Sequence, residues 1–386
     1  MDTAFASMVL VAVVALGGGA QDEGEQGAQD VRGVLVRKSV DERFRFVRWE
    51  SEESVNRIFR ALKGRPGAEV HFLPGTYTVH QGFVVADVPD LTISGAPGVT
   101  IEFAPAPAVL PRTTAPVEPG ASTILVDHPE GLQPGWNYQL YAPNGRGDRL
   151  LEFTIASIEG NEVELLQRVR FMPHVKEIPS DCRVLEEVNG FQIKRCPGIT
   201  IQNLTLDGHG RGDVRGHTIY SGIINTGLYR ERRRPTTVGM TVRGCTFRGL
   251  MGRGIAFYGV AGARIEGNSF HRIRAQAIEI DHFSSGHVLN NHVDGAEVGV
   301  TINDAFESLV EGNVLRNCRY GIRFMDVISA DWVNTGNVVR DNQIGPGCKL
   351  GVEFRDSMQG NVVRGNRFLG LAKKDRVVNA EGNTVD

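Results

Sequence analysis

The most regular pattern in this sequence is a six-residue phrase in which apolar residues surround a turn-forming pair that ends in asparagine. The asparagine is followed by one variable residue and then by another apolar residue. The asparagines that hold this place are Asn268, Asn291, Asn313, Asn342 and Asn366. They recur every 22 to 29 residues, a period that is typical of stacked solenoids. Cys245 and Leu204 hold the same place in two earlier repeats.

A second phrase follows each of these asparagines within the same repeat. It consists of glycine or alanine and then an apolar, a variable and an apolar residue, at 254–257, 277–280, 299–302, 321–324 and 351–354. Both phrases alternate with period two, which predicts strands rather than helices. The intervals between them are too short for helical crossovers. Three short strands per coil, stacked in parallel, therefore predict a right-handed β-helix.

The asparagines predict a sharp bend between two strands of each coil. Asparagine tolerates the left-handed backbone region better than most residues. Because coils stack about 4.8 Å apart, identical amides at this bend can hydrogen-bond along the stack. We therefore predict an asparagine ladder. The alternative is that Gly-Asn serves only as a generic turn dipeptide.

Two segments nearer the N-terminus add a family resemblance. Residues 70–77 read VHFLPGTY, and residues 91–103 read LTISGAPGVTIEF. With the asparagine repeat, they resemble the pectate-lyase-like superfamily, whose members are single-stranded right-handed parallel β-helices. The resemblance covers residues 45–104 and 184–370. It implies a fold rather than a reaction, because this superfamily includes lyases, hydrolases, epimerases and proteins without known chemistry.

The chain is accordingly predicted to be all-β, a right-handed parallel β-helix with an N-terminal capping helix and a small β-rich insertion. The helix lies within residues 51–64, where Val55, Ile58, Phe59 and Leu62 share one face. We expect it to plug the open end of the solenoid. The predicted segments are a signal peptide (1–20), a disordered linker (21–44), the cap and first coils (45–104), the insertion (105–183), the main β-helix (184–371) and a C-terminal tail (372–386).

The N-terminus and the composition bear on location and partners. Residues 8–16 are apolar and precede small residues before Gln21, which predicts an export signal and a secreted or periplasmic protein. The alternatives are a mis-assigned start or a short membrane anchor. A net charge of −3 gives no nucleic-acid signature. We expect no membrane span after signal removal, and a monomer.

Five cysteines without CxxC spacing predict core packing, with at most one disulfide.

The second phrase is where candidate chemistry concentrates. In the superfamily that the chain resembles, the substrate groove runs along this strand. Its apolar residues point inward, so the residues between them point outward. These outward positions and the positions just beyond the strand hold Tyr258, Glu279, Asp281, His282, Asn303, Asp304, Arg323, Asp326, Glu353 and Arg355.

This collection predicts an active site for an acidic polysaccharide. Elimination from a uronic acid needs a base for the C5 proton and a cation to neutralise the sugar carboxylate. His282, beside Asp281, is the candidate base, since only histidine titrates near neutrality unaided. The other candidate catalytic residues are Glu279, Asp304 and Arg323. The remaining candidates for substrate binding are Asn303, Tyr258, Glu353, Arg355, His209, His217, Arg230, Arg232 and Arg233.

A calcium ion is the one cofactor that these residues suggest. Asp304 and Asp326 are expected to stack and repel, and a raised carboxyl pKa, Arg323 or a bound Ca²⁺ would relieve that repulsion. The alternative is that aspartates after a strand only cap the turn through backbone hydrogen bonds.

The functional prediction is thus an exported lyase or C5-epimerase that acts on a uronic-acid polysaccharide. The Asp-Pro-His-Asp phrase of the alginate epimerases is absent, and no catalytic Lys-Arg pair like that of the chondroitinase-B-like lyases stands out. One alternative is a glycoside hydrolase with two carboxylates drawn from Glu279, Asp281, Asp304 and Glu353. Another is a non-catalytic surface protein whose groove only binds sugar.

Overall fold

The computed structural model describes residues 32–104, 111–135, 137–143, 149–171, 175–210, 219–226, 235–325, 334–355 and 358–386. Over these residues the chain winds into stacked coils, and each coil contributes strands to three faces. The first face leads into the asparagine bend, the second face follows that bend, and the third face carries the second phrase. The predicted parallel β-helix is confirmed.

The first face is a sheet of twelve strands. The strand Gly33–Arg37 pairs antiparallel with both of its neighbours, and the later pairings in this sheet are parallel. In spatial order the strands are Arg45–Arg48, Gly33–Arg37, Glu69–Phe72, Thr92–Gly95, Ile199–Gln202, Thr237–Arg243, Val260–Glu266, Gly286–Leu289, Leu309–Glu311, Val338–Arg340, Val362–Arg364 and Thr384–Val385.

The second and third faces are joined in the middle of the solenoid by three long strands that bend from one face to the other: Ser269–Asp281, His292–Asn303 and Val314–Met325. The other strands of the second face are Gly75–Val79, Val99–Phe103, Thr205–Asp207, Thr246–Arg248, Gln343–Ile344 and Arg367–Phe368. The other strands of the third face are Phe83–Ala86, Arg183–Lys194, Ile219–Thr226, Ile255–Tyr258, Leu350–Phe354 and Val377–Val378.

Two predicted boundaries differ from the structure. Residues 21–44 were expected to be a disordered linker, yet Gly33–Arg37 is a strand whose Val34 and Val36 are buried in the core. Residues 372–386 were expected to be a tail, yet Val377–Val378 and Thr384–Val385 extend the third and first faces. In both places a short segment adds to the end of an existing sheet. Val34 and Val36 are buried there, whereas Val377 is only partly buried against the core and Val385 is exposed. The predicted signal peptide lies outside the described residues.

The asparagine ladder is confirmed, but the left-handed residue of each bend is the one before the ladder asparagine, for example Gly267 and Gly312, and not the asparagine itself. The side-chain amide nitrogen of each asparagine donates to the side-chain oxygen of the next, from Asn268 through Asn291, Asn313 and Asn342 to Asn366, at 2.9–3.0 Å. The same oxygens accept the backbone N–H of the preceding asparagine. Cys245 continues the column, since its backbone N–H donates to the Asn268 amide oxygen at 3.0 Å.

A second asparagine ladder, which the sequence analysis missed, runs along the corner between the third and first faces. Asn337 donates to Asn361, and Asn361 donates to Asn383, each at 2.9 Å. Ser308 extends it, because its backbone N–H donates to the Asn337 amide oxygen at 3.0 Å. The sequence signal for this second ladder was a Gly-Asn pair immediately before each of three first-face strands. Two hydrogen-bonded corners thus hold the coils in register.

The capping helix is also confirmed. It spans Glu52–Ala61, and Val55, Phe59 and Leu62 are buried against the first coils. The Phe59 ring lies 6.2 Å from that of Phe83, edge to face. No helix among the described residues is long and apolar enough to cross a membrane.

The insertion has a hydrophobic core of its own, separate from that of the solenoid. Its strands are Thr123–Leu125, Asn137–Tyr141, Arg149–Glu159 and Glu162–Leu165, which pair antiparallel. It enters the chain between Val99–Phe103 of the second face and Arg183–Lys194 of the third. Asn137–Tyr141 pairs with the start of Arg183–Lys194, so the insertion is attached directly to a third-face strand.

Candidate functional site

Strand register on the third face stacks the candidate residues into columns. Ile278 and Ile280 belong to the core, so the side chains between and beyond them point away from it. One outward column contains Ala256, Glu279, Thr301, Arg323 and Glu353, and its neighbour contains Tyr258, Asp281, Asn303 and Met325. Residues about two dozen positions apart in sequence are therefore neighbours in space.

A third column lies just beyond the strands, where Gly259, His282 and Asp304 all adopt left-handed backbone angles, with φ of 65°, 47° and 47°. The backbone N–H of each donates to a carbonyl of the next coil, at 2.8, 3.2 and 3.1 Å respectively. This conformation strains most residues but suits glycine, asparagine, aspartate and histidine. Turn geometry therefore restricts which residue types His282 and Asp304 could be.

The structure corrects one expectation about these columns. The outward side chains were expected to line an open face, yet Glu279, Asp281, Asn303 and Asp304 are only 3–4% exposed. Coils stack closely, so that longer side chains such as Arg253 and Tyr258 lie over the shorter carboxylates and contact Glu279. The groups that reach solvent are instead His282 and Arg323, each with 19% of its side chain exposed.

Glu279 is the centre of a buried polar cluster. The Tyr258 hydroxyl donates to a Glu279 carboxylate oxygen at 3.1 Å, and the Arg253 guanidinium forms an ion pair with the same carboxylate. Burial raises the pKa of Glu279, although Arg253 and the Tyr258 hydrogen bond oppose that shift. Burial, with Glu279 beside it, raises the pKa of Tyr258 well above its ordinary value. Tyr258 is therefore held in its neutral form, with its hydroxyl donating to Glu279.

Asp281 and His282 form a directly contacting pair. The Asp281 carboxylate contacts His282 Nδ1 and also accepts the His282 backbone N–H, the latter at 2.7 Å. The imidazole packs edge to face against the Tyr258 ring, with centroids 5.4 Å apart. In a neutral imidazole, the carboxylate contact favours the tautomer with the proton on Nδ1. Nε2 is then the basic nitrogen.

Arg323, in the first outward column, is also held in place by neighbouring side chains. Its guanidinium lies 2.6 Å from the Glu353 carboxylate and 4.2 Å from the centroid of the Tyr320 ring. Half-buried and held from two sides, it presents a fixed cation two coils from Glu279.

One group of potential metal ligands occurs among the described residues. Donor atoms of Asp281, His282 and Asp304 all lie within 4.8 Å of one another. However, the His282 contact already engages Asp281, so the arrangement is better described as a carboxylate–imidazole pair than as an open coordination shell. Asp326, the partner expected for Asp304 around a calcium ion, lies outside the described residues.

Other predicted site residues lie elsewhere. His209 was expected on the side of the groove, but it lies at the end of a second-face strand. Its Nε2 is 2.9 Å from Glu102 and its Nδ1 is 3.6 Å from Asp207. The cause is register, since Thr205–Asp207 pairs with second-face strands. Arg355 is exposed just past its third-face strand. The remaining candidates, Arg230, Arg232, Arg233 and His217, lie outside the described residues.

Arg253 is the site residue that the sequence analysis missed. It directly precedes Gly254, the first residue of a second phrase, and so lies before the positions that the strand alternation marks as outward. A charged residue at the entrance to the strand was the available signal. Its role depends on Glu279 in the next coil, which sequence proximity does not show.

Comparisons with known proteins support the architecture. A family model described as a right handed beta helix region matches residues 189–368, the part of the chain that includes the columns described above. No curated protein sequence matches the chain.

Among solved structures, a complex of XylC with xylose shares 10% identity with a TM-score of 0.44 and covers 81% of this chain and 63% of its own. The Azotobacter vinelandii mannuronan C-5 epimerase AlgE6 A-module shares 11% identity with a TM-score of 0.36, and the match covers 87% of this chain and 95% of the module. The Yersinia enterocolitica family 28 exopolygalacturonase shares 11% identity with a TM-score of 0.37, and the match covers 86% of this chain and 75% of the exopolygalacturonase. The chain thus spans 63% of XylC, and these likenesses concern overall architecture alone.

Proposed function

This chain is a right-handed parallel β-helix protein, and on that premise we propose that its third face is the active site of an enzyme that acts on a uronic-acid polysaccharide. The proposed reaction begins with abstraction of the C5 proton, by a lyase or a C5-epimerase. The observation that carries the proposal is the Asp281–His282 pair, because it combines a buried carboxylate with a partly exposed imidazole.

The pair has the features of a general base. Asp281 orients the ring and stabilises the imidazolium that forms when Nε2 takes a proton. Asp281 is almost completely buried, whereas His282 retains contact with solvent. Asp281 is thus a positioning residue, and His282 is the group that would meet the substrate.

The neighbouring groups supply the remaining requirements. Removing the C5 proton places negative charge on the sugar carboxylate, and a guanidinium can neutralise it through two parallel hydrogen bonds. The two cations of the site are Arg323, in the first outward column, and Arg253, which contacts Glu279 from the entrance to a third-face strand. In a lyase the C4–O4 bond then breaks as the C4–C5 double bond forms, and O4 takes a proton. Tyr258, held neutral beside Glu279, is the proposed proton donor.

A panel of uronic-acid polymers in deuterated water tests this proposal. A lyase produces ultraviolet absorbance from the C4–C5 double bond, and an epimerase incorporates deuterium at C5 without that absorbance. We expect His282→Ala to lose at least a hundredfold in rate, as typical for a general base. His287→Ala is the matched control, because His287 is exposed on the first face. Undiminished turnover in His282→Ala would refute the assignment of the base.

A glycoside hydrolase is the second candidate, and the raised pKa of Glu279 favours it. Burial, which raises the pKa of Glu279, favours the protonated form of the carboxyl group, and a general acid needs that form to protonate a glycosidic oxygen. A hydrolase would produce new reducing ends without an unsaturated product. Loss of that activity in Glu279→Gln, together with its retention in His282→Ala, would support the hydrolase. Binding without any product would instead identify a non-catalytic sugar-binding protein.

A further inference from the structure

Beyond the proposed function, we propose that Cys318 and Cys348 are a redox-active pair that closes into a disulfide between two neighbouring coils. Both cysteines are free thiols in the structure. They lie 30 residues apart in sequence, near the point where the long strand Val314–Met325 turns from the second face to the third.

Strand register brings the two residues together. Val314–Met325 pairs in parallel with Leu350–Phe354, with Tyr320 opposite Leu350. The Lys349 backbone N–H donates to the Cys318 carbonyl at 3.2 Å. Continuing the register two positions toward the N-terminus of both strands therefore brings Cys348 beside Cys318. Neighbouring strands are about 4.8 Å apart, which lies within the range of Cα separations, roughly 4.4–6.8 Å, that a disulfide spans.

The two thiols have different surroundings. Cys318 is 1% exposed and belongs to the main core, whereas Cys348 is half-buried at its edge. The Cys318 thiol lies 3.2 Å from the Arg316 carbonyl, and the Cys348 thiol lies 3.5 Å from the Leu315 carbonyl. Interaction between the neighbouring thiols lowers the pKa of Cys348 to about 7 and raises the pKa of Cys318. Cys348 is therefore the nucleophile that a dissolved oxidant can reach, and Cys318 is the resolving thiol behind it.

Glutathione disulfide is an oxidant that balances the reaction. The Cys348 thiolate attacks one sulfur of glutathione disulfide, the glutathione S–S bond breaks, and one glutathione leaves as a thiolate that takes a proton. Cys318 then loses its proton and attacks Cys348 Sγ, which expels the second glutathione. Two protein thiols are oxidised, and one glutathione disulfide is reduced to two glutathione thiols.

The resulting bond would tie together two coils of the proposed site. Arg323 lies on the coil of Cys318, and its partner Glu353 lies on the coil of Cys348. The bond would also close the loop between the two cysteines. Closing a loop restricts the unfolded chain, so the oxidised protein is expected to unfold at a higher temperature than the reduced protein.

Mass spectrometry of the intact, folded protein tests the proposal. After treatment with glutathione disulfide, the protein is alkylated in denaturant and digested. We expect one peptide that links Cys318 to Cys348, a fall in alkylated cysteines from five to three, and reversal by dithiothreitol. Thermal unfolding of the same samples should show a higher midpoint after oxidation.

Three variants separate the steps. Cys318→Ser should leave a stable glutathione adduct on Cys348, because the resolving thiol is gone, and should show no rise in unfolding midpoint. Cys348→Ser should give neither a link nor an adduct at Cys318. Cys182→Ser is the control, because Cys182 lies in the separate core of the insertion, and it should form the link as the parent does.

Several outcomes would overturn the proposal. A glutathione adduct that persists on Cys348 in the parent protein would show that the two sulfurs do not meet. Absence of reaction at Cys348 would show that its thiol is not activated. Equal modification of all five cysteines would show that only the unfolded chain reacts. Because none of these results depends on turnover of a polysaccharide, failure here is distinguishable from failure of the proposed function.

Discussion

The ladder of asparagines is the feature on which the alignment of the site columns rests, and replacing one of its central members tests its contribution. Asn313 is fully buried, with one ladder partner above it and one below. We consider Asn313→Ala, which removes the amide and leaves the backbone bend otherwise unaltered.

The structure sets the size of the expected effect. The Asn313 amide oxygen accepts the Asn291 backbone N–H at 2.9 Å and the Asn291 side chain at 3.0 Å, while its nitrogen donates to Asn342 and to the Val288 carbonyl, each at 2.9 Å. The substitution leaves the buried Asn291 N–H without this acceptor and removes the other hydrogen bonds of the Asn313 side chain. Since a buried polar group left unsatisfied costs about 1–3 kcal/mol, we expect a loss of about 2–4 kcal/mol in the free energy of unfolding.

Urea unfolding followed by circular dichroism measures this loss. The midpoint should fall while the slope of the transition stays constant, because the surface exposed on unfolding hardly changes. The matched control is Asn366→Ala at the end of the ladder. Asn366 is partly exposed, so water can replace its hydrogen bonds, and we expect a loss of about 1 kcal/mol or less.

A result in which Asn313→Ala unfolds within about 0.5 kcal/mol of the parent, the range of ordinary surface substitutions, would refute this reasoning. Equal losses for Asn313→Ala and Asn366→Ala would also contradict it, because burial would then not govern the cost.

Three further predictions concern the ladder, the cap and the site. Cys245→Asn should extend the ladder toward Asn268 and raise stability by about 1 kcal/mol; a lower urea midpoint would contradict this. Phe59→Ala should lose about 3–5 kcal/mol through the cavity left under the capping helix, and the exposed control Arg57→Ala should change the same midpoint little. Because burial raises the pKa of Glu279 in the folded state, the protonated carboxyl group stabilises the fold at acidic pH. That contribution declines as pH rises past 4.5, the ordinary pKa of the group. Glu279→Gln should remove that decline in a pH series of urea midpoints, and an unchanged pH profile would count against the assigned shift.

Much of the candidate site could be read from the sequence because outward positions alternate with core positions along each strand. That rule placed Glu279, Thr301 and Arg323 in one column, as the strand pairing shows. It did not anticipate that the carboxylates would be buried, since burial depends on which long side chains from neighbouring coils lie over them. The contact between Arg253 and Glu279 is of this kind.

The coil could be predicted from the sequence, because each repeat carries its own strand alternation and its own bend residue, and both are local properties of the chain. Which polar side chains of neighbouring coils contact each other became visible only in the folded molecule. The His209 contacts with Glu102 and Asp207, the pairing of Cys318 with Cys348 and the Asp281–His282–Tyr258 arrangement all follow from register and side-chain reach. Contacts between coils supply the energy that stabilises the stack. A single repeat contains no information about the length and direction of the side chains above and below it.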